Sequence, residues 1–318
     1  MELNELRKMQ DYPRVMMVSR YANSCGIAQY GMRVANILSK EFNVYHLRTN
    51  QPEQFSHMHK MWKPDVILYN YYAPILPWIT DEFLEDKRKY TKHILLHHEL
   101  WRNFSPNLIV DINSAGESKP EEGYYCSPRP LFEDFEFEPT TPNTIPTIGT
   151  FGFGFGDKNF EGLTEIVCRQ FKSAKIRMHI GYAEFGDSEG QQAAERIRNC
   201  KEIIRNINPG IILENTHHFM EDSELLNWLH QNDLNFFYYP PNEDRGLSSV
   251  IDYALSARKP LAISSSNQFK HILKDAPSII VPDNDLPGII ARGIEPLKPL
   301  YEKFSNERLL EVYRSILI

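Results

Sequence analysis

Apolar positions along this chain fall into short blocks separated by stretches of helical spacing. PRVMMVSRYANSCGIAQYGMRVANILSKEF opens with a brief apolar run, crosses a small polar loop containing Gly26, and continues with apolar residues at the 3.6 period, which predicts strand, loop, helix. NVYHL, DVILYNYY and HILLHHEL follow as β-branched or leucine-rich runs suited to strands buried on both faces of a parallel sheet. From about 114 to 146 the rhythm fails. SAGESKPEEGYYCSPRPLFEDFEFEPTTPNTIP is rich in proline and acidic residues, with room for one strand at its centre, and is expected to be the crossing between domains. The rhythm then resumes through TIGTFGF, a helix near 159–171, IRMHIGY, a helix around 191–206, GIILEN, a helix around 221–230, LNFFYYP, a helix around 248–257, PLAIS and SIIVP. A terminal helical segment, LKPLYEKFSNERLLEVYRSILI, closes the chain. Strands alternating with helices in this way predict open α/β sheets.

Length turns this pattern into two domains, since 318 residues exceed one compact unit of ordinary size. The expected division is 1–140, 141–300 and a last helix at 301–318 that packs back toward the N-terminal domain. No run reaches the ~18 uninterrupted apolar residues of a membrane span. The first residues, MELNELRKMQDYPR, lack the apolar centre of a signal peptide, so the expected location is cytoplasmic, with peripheral attachment to a membrane left open. The cysteines, Cys25, Cys126, Cys168 and Cys200, are far apart and form no CxxC, which argues against a zinc ribbon or redox pair. A net charge of -7, from 35 basic and 42 acidic residues, argues against extended nonspecific binding to nucleic acid.

Doubly wound domains bind ligands beyond the carboxyl ends of their strands, so two facing domains place the expected site in the cleft between them. Two segments of the C-terminal half carry candidate chemistry. In GTFGFGFGDKNF a strand runs into four glycines, and Lys158 stands where a helix begins, a position suited to a phosphate partner. The spacing fits neither GxGxxG nor GxxxxGK[ST]. A glycine-rich turn with a solvated lysine is the competing explanation. In PPNEDRGLSSVIDYALSARKPLAIS a strand is followed by Gly246, two serines and a helix with Asp252 in its first turn. Helix-start amides attract anions and a carboxylate one turn later can accept from ribose hydroxyls, whereas simple capping by Ser248 or Ser249 would explain the same residues without a ligand.

Taken together these motifs resemble the nucleotide-sugar domain of GT-B glycosyltransferases, in particular retaining glycosyltransferase family four. The glycine stretch with Lys158 is similar to the family's phosphate loop, and Asp244-RGLSSVI-Asp252 to its carboxylate-x7-carboxylate motif, with YALSARKPLAIS as the apolar-alanine continuation. SCGIAQY, DVILYNYY and HILLHHEL extend the resemblance over the N-terminal half. Two departures stand out. Both family glutamates are aspartates here, and Thr150 and Phe151 occupy the place where the family carries an arginine.

The resemblance implies a GT-B fold of two Rossmann-like domains, the first on the acceptor side and the second holding the nucleotide sugar. It implies transfer of a sugar, with retention, from a nucleotide-diphosphate donor such as a UDP- or GDP-sugar to a hydroxyl of a glycan, lipid or other acceptor. No cofactor and no metal are expected. Lys158 would contact the donor phosphates with Gly152, Gly154 and Arg245, the Gly246-Leu247-Ser248-Ser249 backbone would hold the diphosphate, and Asp252 would bind the ribose. Asp244 would address the transferred sugar, Gly26 would line the site from the first domain, and His98 would sit near the reacting carbon in preference to His97. The departures keep two alternatives open: a noncatalytic nucleotide-sugar or glycan-binding homologue, and a sugar-nucleotide epimerase of GT-B architecture. Asp283-Asn284-Asp285, which read alone suggests a metal site, is expected to be a turn and helix cap, and His217-His218 to be structural or surface residues.

Overall fold

A computed structural model describes residues 12–22, 25–87, 91–98, 110–114, 116–183, 186–242 and 246–318. The chain divides into two compact units, one formed by 1–130 with 304–318 and the other by 131–303.

In the first unit, β1 (Arg14–Ser19), β2 (Asn43–Arg48), β3 (Val66–Tyr71), β4 (Lys92–His97), β5 (Val110–Asn113) and β6 (Tyr124–Cys126) form one sheet in the order β2-β1-β3-β4-β5-β6. Every neighbouring pair is parallel, with Val15 opposite Val44 on one side and Val66 on the other. β3 is buried along its whole length, as strands covered on both faces must be. The helix Gly26–Leu38 lays Val34, Ala35, Ile37 and Leu38 on one face of this sheet. The last helix, Asn306–Leu317, belongs to the same unit and adds Leu309, Leu310, Tyr313, Ile316 and Leu317 to the same core. Its Arg314 donates to Glu41 through both Nε (2.8 Å) and Nη2, and to Glu307. β5 and β6 are short, and the pattern of apolar runs marks neither clearly.

The second unit holds β7 (Thr147–Phe153), β8 (Ala174–Gly181), β9 (Ile211–Thr216), β10 (Leu234–Phe237), β11 (Leu261–Ser264) and β12 (Ile280–Val281). Their order is β12-β11-β10-β7-β8-β9, again all parallel. This is the Rossmann arrangement, in which the chain starts in the middle, builds outward to one edge, returns, and builds to the other. The helices Phe160–Gln170 and Gln191–Ile207 supply Leu163, Val167, Ile197, Cys200 and Ile204 to its larger core.

The acidic crossing segment changes units at Pro130–Leu131, earlier than the 140/141 division expected from composition. The reason is packing. Phe132, Phe135 and Phe137 lie on a cluster built by Leu225, Leu226, Trp228, Leu229 and Tyr253, and Phe137 stacks on His230 with ring centroids 4.0 Å apart. The segment's backbone is tied down as well: Phe132 N donates to Ser256 Oγ (3.0 Å), Glu138 N to Asn227 Oδ1 (3.0 Å), and Arg258 donates to the Glu133 carbonyl (2.8 Å). With the phenylalanines turned in and Asp134, Glu136 and Glu138 exposed, the stretch behaves as a strap of the second unit.

Candidate functional site

Where strand order reverses, the loops after two adjacent strands diverge to opposite faces and leave a crevice at their carboxyl ends. In the second unit this point falls between β7 and β10. The glycine stretch leaves β7 and the loop with Ser248 leaves β10, so the two segments singled out in the sequence meet there.

After β7 the chain makes one 3-10 turn, Gly156–Lys158, closed by Lys158 N donating to Phe155 O and Asn159 N to Gly156 O. Asn159, in the left-handed region at φ 49°, then caps the helix Phe160–Gln170 by accepting from Gly162 N at 3.1 Å. Gly162 has to be bare, since a Cβ there would stand 2.5 Å from the Asn159 amide nitrogen. The turn and the cap together fix Lys158 at the helix start. Its side chain, only 15% exposed, runs past Gly152, where an added Cβ would lie 3.7 Å from Lys158 Cγ. Its ammonium stands 4.3 Å from the centroid of the Tyr239 ring and 3.7 Å from Asp157 Oδ2.

Tyr239 follows β10 and joins the two loops. Its phenol pKa is raised by burial, with the Ser248 side chain opposing that rise and Asp157 adding to it, so Lys158, Asp157 and Ser248 all surround one ring. Sequence reasoning missed Tyr239, because an aromatic residue ending the run LNFFYY is indistinguishable from core. Gly246, Leu247, Ser248 and Ser249 are half-buried, and Ser248 N donates to Gln268 O at 3.1 Å. Ser249 occupies the N-cap position of the helix Val250–Ser256 without a side-chain cap hydrogen bond, so capping does not explain Ser249. Asp252 lies in the first turn of that helix and is 1% exposed. Asp244 and Arg245 lie outside the described residues.

The remaining glycines differ in what they make room for. Among the described residues, no atom lies within 4 Å of a Cβ placed on Gly156 or Gly26. Gly154 faces protein: a Cβ there would meet Ala193 N at 2.5 Å and Ala193 Cα at 2.7 Å, at the start of the helix Gln191–Ile207. The amides of Gln192 and Ala193 are already satisfied by Asp187, whose two carboxylate oxygens accept from them at 2.9 and 3.0 Å. Phe151 is packed edge-on between Phe237 (5.6 Å) and Tyr253 (5.7 Å), which places an aromatic cluster where the resembled family carries a cation.

A second polar cluster occupies the switch point of the first unit, between β1 and β3. Asn70 is fully buried, and its amide nitrogen donates to Ile27 O (2.7 Å) and Ser19 Oγ (3.3 Å). His46 Nε2 is 2.9 Å from the same hydroxyl. His98, just beyond β4, has Nε2 2.6 Å from Asn70 Oδ1 and its ring edge-on to Tyr30 at 5.0 Å. Burial, then the charges of Arg129, His97 and Arg33, bring the His98 pKa from 6.5 down to about 3. His97 instead stacks on Tyr71 within the strand layer. Asn70 was also missed, although a polar residue inside the run VILYNY was a signal that a buried hydrogen bond had to be made.

The other sequence candidates have structural partners. Asp285 caps the helix Leu286–Arg292 by accepting from Gly288 N, and Asn284 donates to Pro277 O and Ile280 O. His217 is hydrogen-bonded to Ile180 O and Asn215, and His218 pairs with Glu224 at the surface.

No family model matches the chain, and no curated protein matches it. Solved structures do. HepE of Anabaena, crystallised with UDP and glucose, superposes with a TM-score of 0.64 at 11% identity, over 96% of this chain and 99% of that one. A glycosyltransferase from Rickettsia africae gives 0.61 at 12% identity over 95% and 94%. Sucrose-phosphate synthase from Thermosynechococcus elongatus gives 0.58 at 14% identity, covering 96% of each chain. At such identities the likeness concerns architecture: the chain has the GT-B fold.

Proposed function

We propose that this protein is a glycosyltransferase that moves a sugar from a nucleotide-diphosphate donor to an acceptor hydroxyl, with retention of configuration and without a metal ion. The observation that supports this reading most is Lys158. A lysine 15% exposed, set over the Tyr239 ring at the switch point of a Rossmann-like unit and grouped with Ser248, is a partly desolvated cation where a diphosphate would be received. HepE was crystallised with UDP and glucose, and a trehalose-6-phosphate protein of E. coli with UDP-2-fluoro glucose; both share the fold.

In this reading Lys158 and the Ser248-Ser249 backbone hold the donor diphosphate, and Asp252 takes the ribose. As the bond from sugar to phosphate breaks, negative charge grows on the departing nucleoside diphosphate, and Lys158 stabilises it electrostatically. Asp157, 3.7 Å away, keeps the ammonium oriented before a ligand arrives. Asp244 addresses the transferred sugar, as the resemblance implies. His98, held neutral in the cluster of the first unit, acts through hydrogen bonds and not as a standing cation.

Isothermal titration of UDP, GDP and ADP and their glucose conjugates tests this reading. One nucleoside diphosphate should bind, and Lys158→Met should weaken it ~10- to 100-fold, the worth of one charge-assisted contact of about 1.5–3 kcal/mol. Absence of binding to any nucleotide overturns the reading. Binding that Lys158→Met leaves unchanged overturns the assignment of the site. Stable binding without turnover supports the noncatalytic alternative, for which the aromatic packing of Phe151 is the structural argument.

A further inference from the structure

The hydrogen bonds around Asn70 determine more than its own orientation. Its amide nitrogen lies 2.7 Å from the carbonyl of Ile27, an atom that can only accept, so the amide oxygen must be the atom facing His98. That oxygen is 2.6 Å from Nε2 and can itself only accept. The ring proton is therefore on Nε2. We propose that Asn70 is a positioning residue that holds His98 in its Nε2-protonated tautomer, leaving Nδ1 with a lone pair as the ring's acceptor for a substrate hydroxyl. The assignment of that hydroxyl to a sugar rests on the reading of function given above.

The surroundings are built for this. Gly31 leaves the space that Asn70 and Ser19 fill, since a Cβ on it would lie 2.4 Å from Asn70 Nδ2 and 2.6 Å from Ser19 Oγ. The donated bond to Ile27, next to the start of the helix Gly26–Leu38, ties the amide to that helix. The Tyr30 ring meets the imidazole edge-on, and the guanidinium groups of Arg129 and Arg33 lie 4.5 and 5.8 Å from the Tyr30 centroid. Among the described residues, Arg129, His97 and Arg33 are the charged and titratable groups acting on His98, and each disfavours a second ring proton. A neutral ring of fixed tautomer has one donor, already committed to Asn70, and one acceptor. It recognises a hydroxyl proton, where a doubly protonated ring would instead attract an anion.

The test is nitrogen-15 NMR of histidine-labelled full-length protein at neutral pH, which distinguishes protonated from unprotonated ring nitrogens. In the parent protein, His98 should show a protonated Nε2 whose proton exchanges slowly, and an unprotonated Nδ1. Asn70→Ala should abolish the slowly exchanging ring proton. Asn70→Asp, which places a carboxylate against Nε2, should raise the His98 pKa by about 1–3 units. An unprotonated Nε2 in the parent overturns the proposal without recourse to any variant. A ring proton equally protected in Asn70→Ala overturns it as well. These signals are read without substrate, so failure of the glycosyl-transfer reading would leave them intact, and their failure would leave nucleotide binding at Lys158 intact.

Discussion

Replacing Gly154 by alanine tests the packing on which the phosphate-side loop depends. The added methyl would be built 2.5 Å from Ala193 N, 2.7 Å from Ala193 Cα and 2.9 Å from Gln192 C, all main-chain atoms that cannot turn away as a flexible side chain would. Relief requires the loop after β7 and the first turn of the helix Gln191–Ile207 to separate. That separation strains the two bonds by which Asp187 accepts from Gln192 N and Ala193 N. Overpacking of a close contact costs about 1–3 kcal/mol, and the rigidity of the obstacle puts this case near the upper end. About 3 kcal/mol corresponds to a loss of ~6–12 °C in Tm for a unit of this size. Native-state hydrogen exchange localises the effect: the amides of Gln192 and Ala193 should exchange ~100-fold faster, while those of the helix Phe160–Gln170 should change little. A Gly154→Ala protein with parental Tm and parental protection at Gln192 and Ala193 would refute the reasoning.

Acid should weaken the fold in a defined window. Burial is the main cause that lowers His46 and His179 to about 4 and His98 to about 3 from 6.5, so the folded protein resists protons that the unfolded chain accepts. Stability from these groups is complete above pH 6.5 and is lost as pH falls toward the folded values; at pH 5 the loss is at most about 2 kcal/mol for each. Urea midpoints should therefore drop between pH 7 and pH 5, and a flat or rising midpoint would contradict the sign. Leu309→Ala removes a fully buried side chain from the core shared by the last helix and the first sheet, and should cost about 2–5 kcal/mol in urea unfolding followed by circular dichroism. An unchanged midpoint there would mean that the last helix contributes no packing to the first unit.

Most strands of both sheets were legible because parallel strands covered on two faces read as short apolar runs, as VMMV in RVMMVS and ILL in KHILLH do. Val110–Asn113 and Tyr124–Cys126 were harder, being four and three residues long, too short for a period to declare itself. The crossing segment was recognised, but its phenylalanines alternate with acidic residues, and nothing local says that they pack on Trp228 and Tyr253. At the site, Lys158 was visible because glycines frame it. Tyr239 and Asn70 were not, for opposite reasons: one is an aromatic residue among aromatics, and the other a lone amide whose partners, Ser19, Ile27 and His98, come from three other segments of the chain. The two serines were ambiguous in the sequence, and the cap geometry of Ser249 weighs against the simplest explanation for that residue.

The central claim, sugar transfer from a nucleotide donor, is tested most directly by following nucleoside diphosphate release from a panel of UDP- and GDP-sugars, each with and without hydroxyl-bearing acceptors. The account predicts release from one donor that requires an acceptor, yields a glycosylated product of unchanged anomeric configuration, and falls sharply in Lys158→Met. Donor consumed without any acceptor and converted to an isomeric nucleotide sugar, or no release from any donor under any condition, would contradict it.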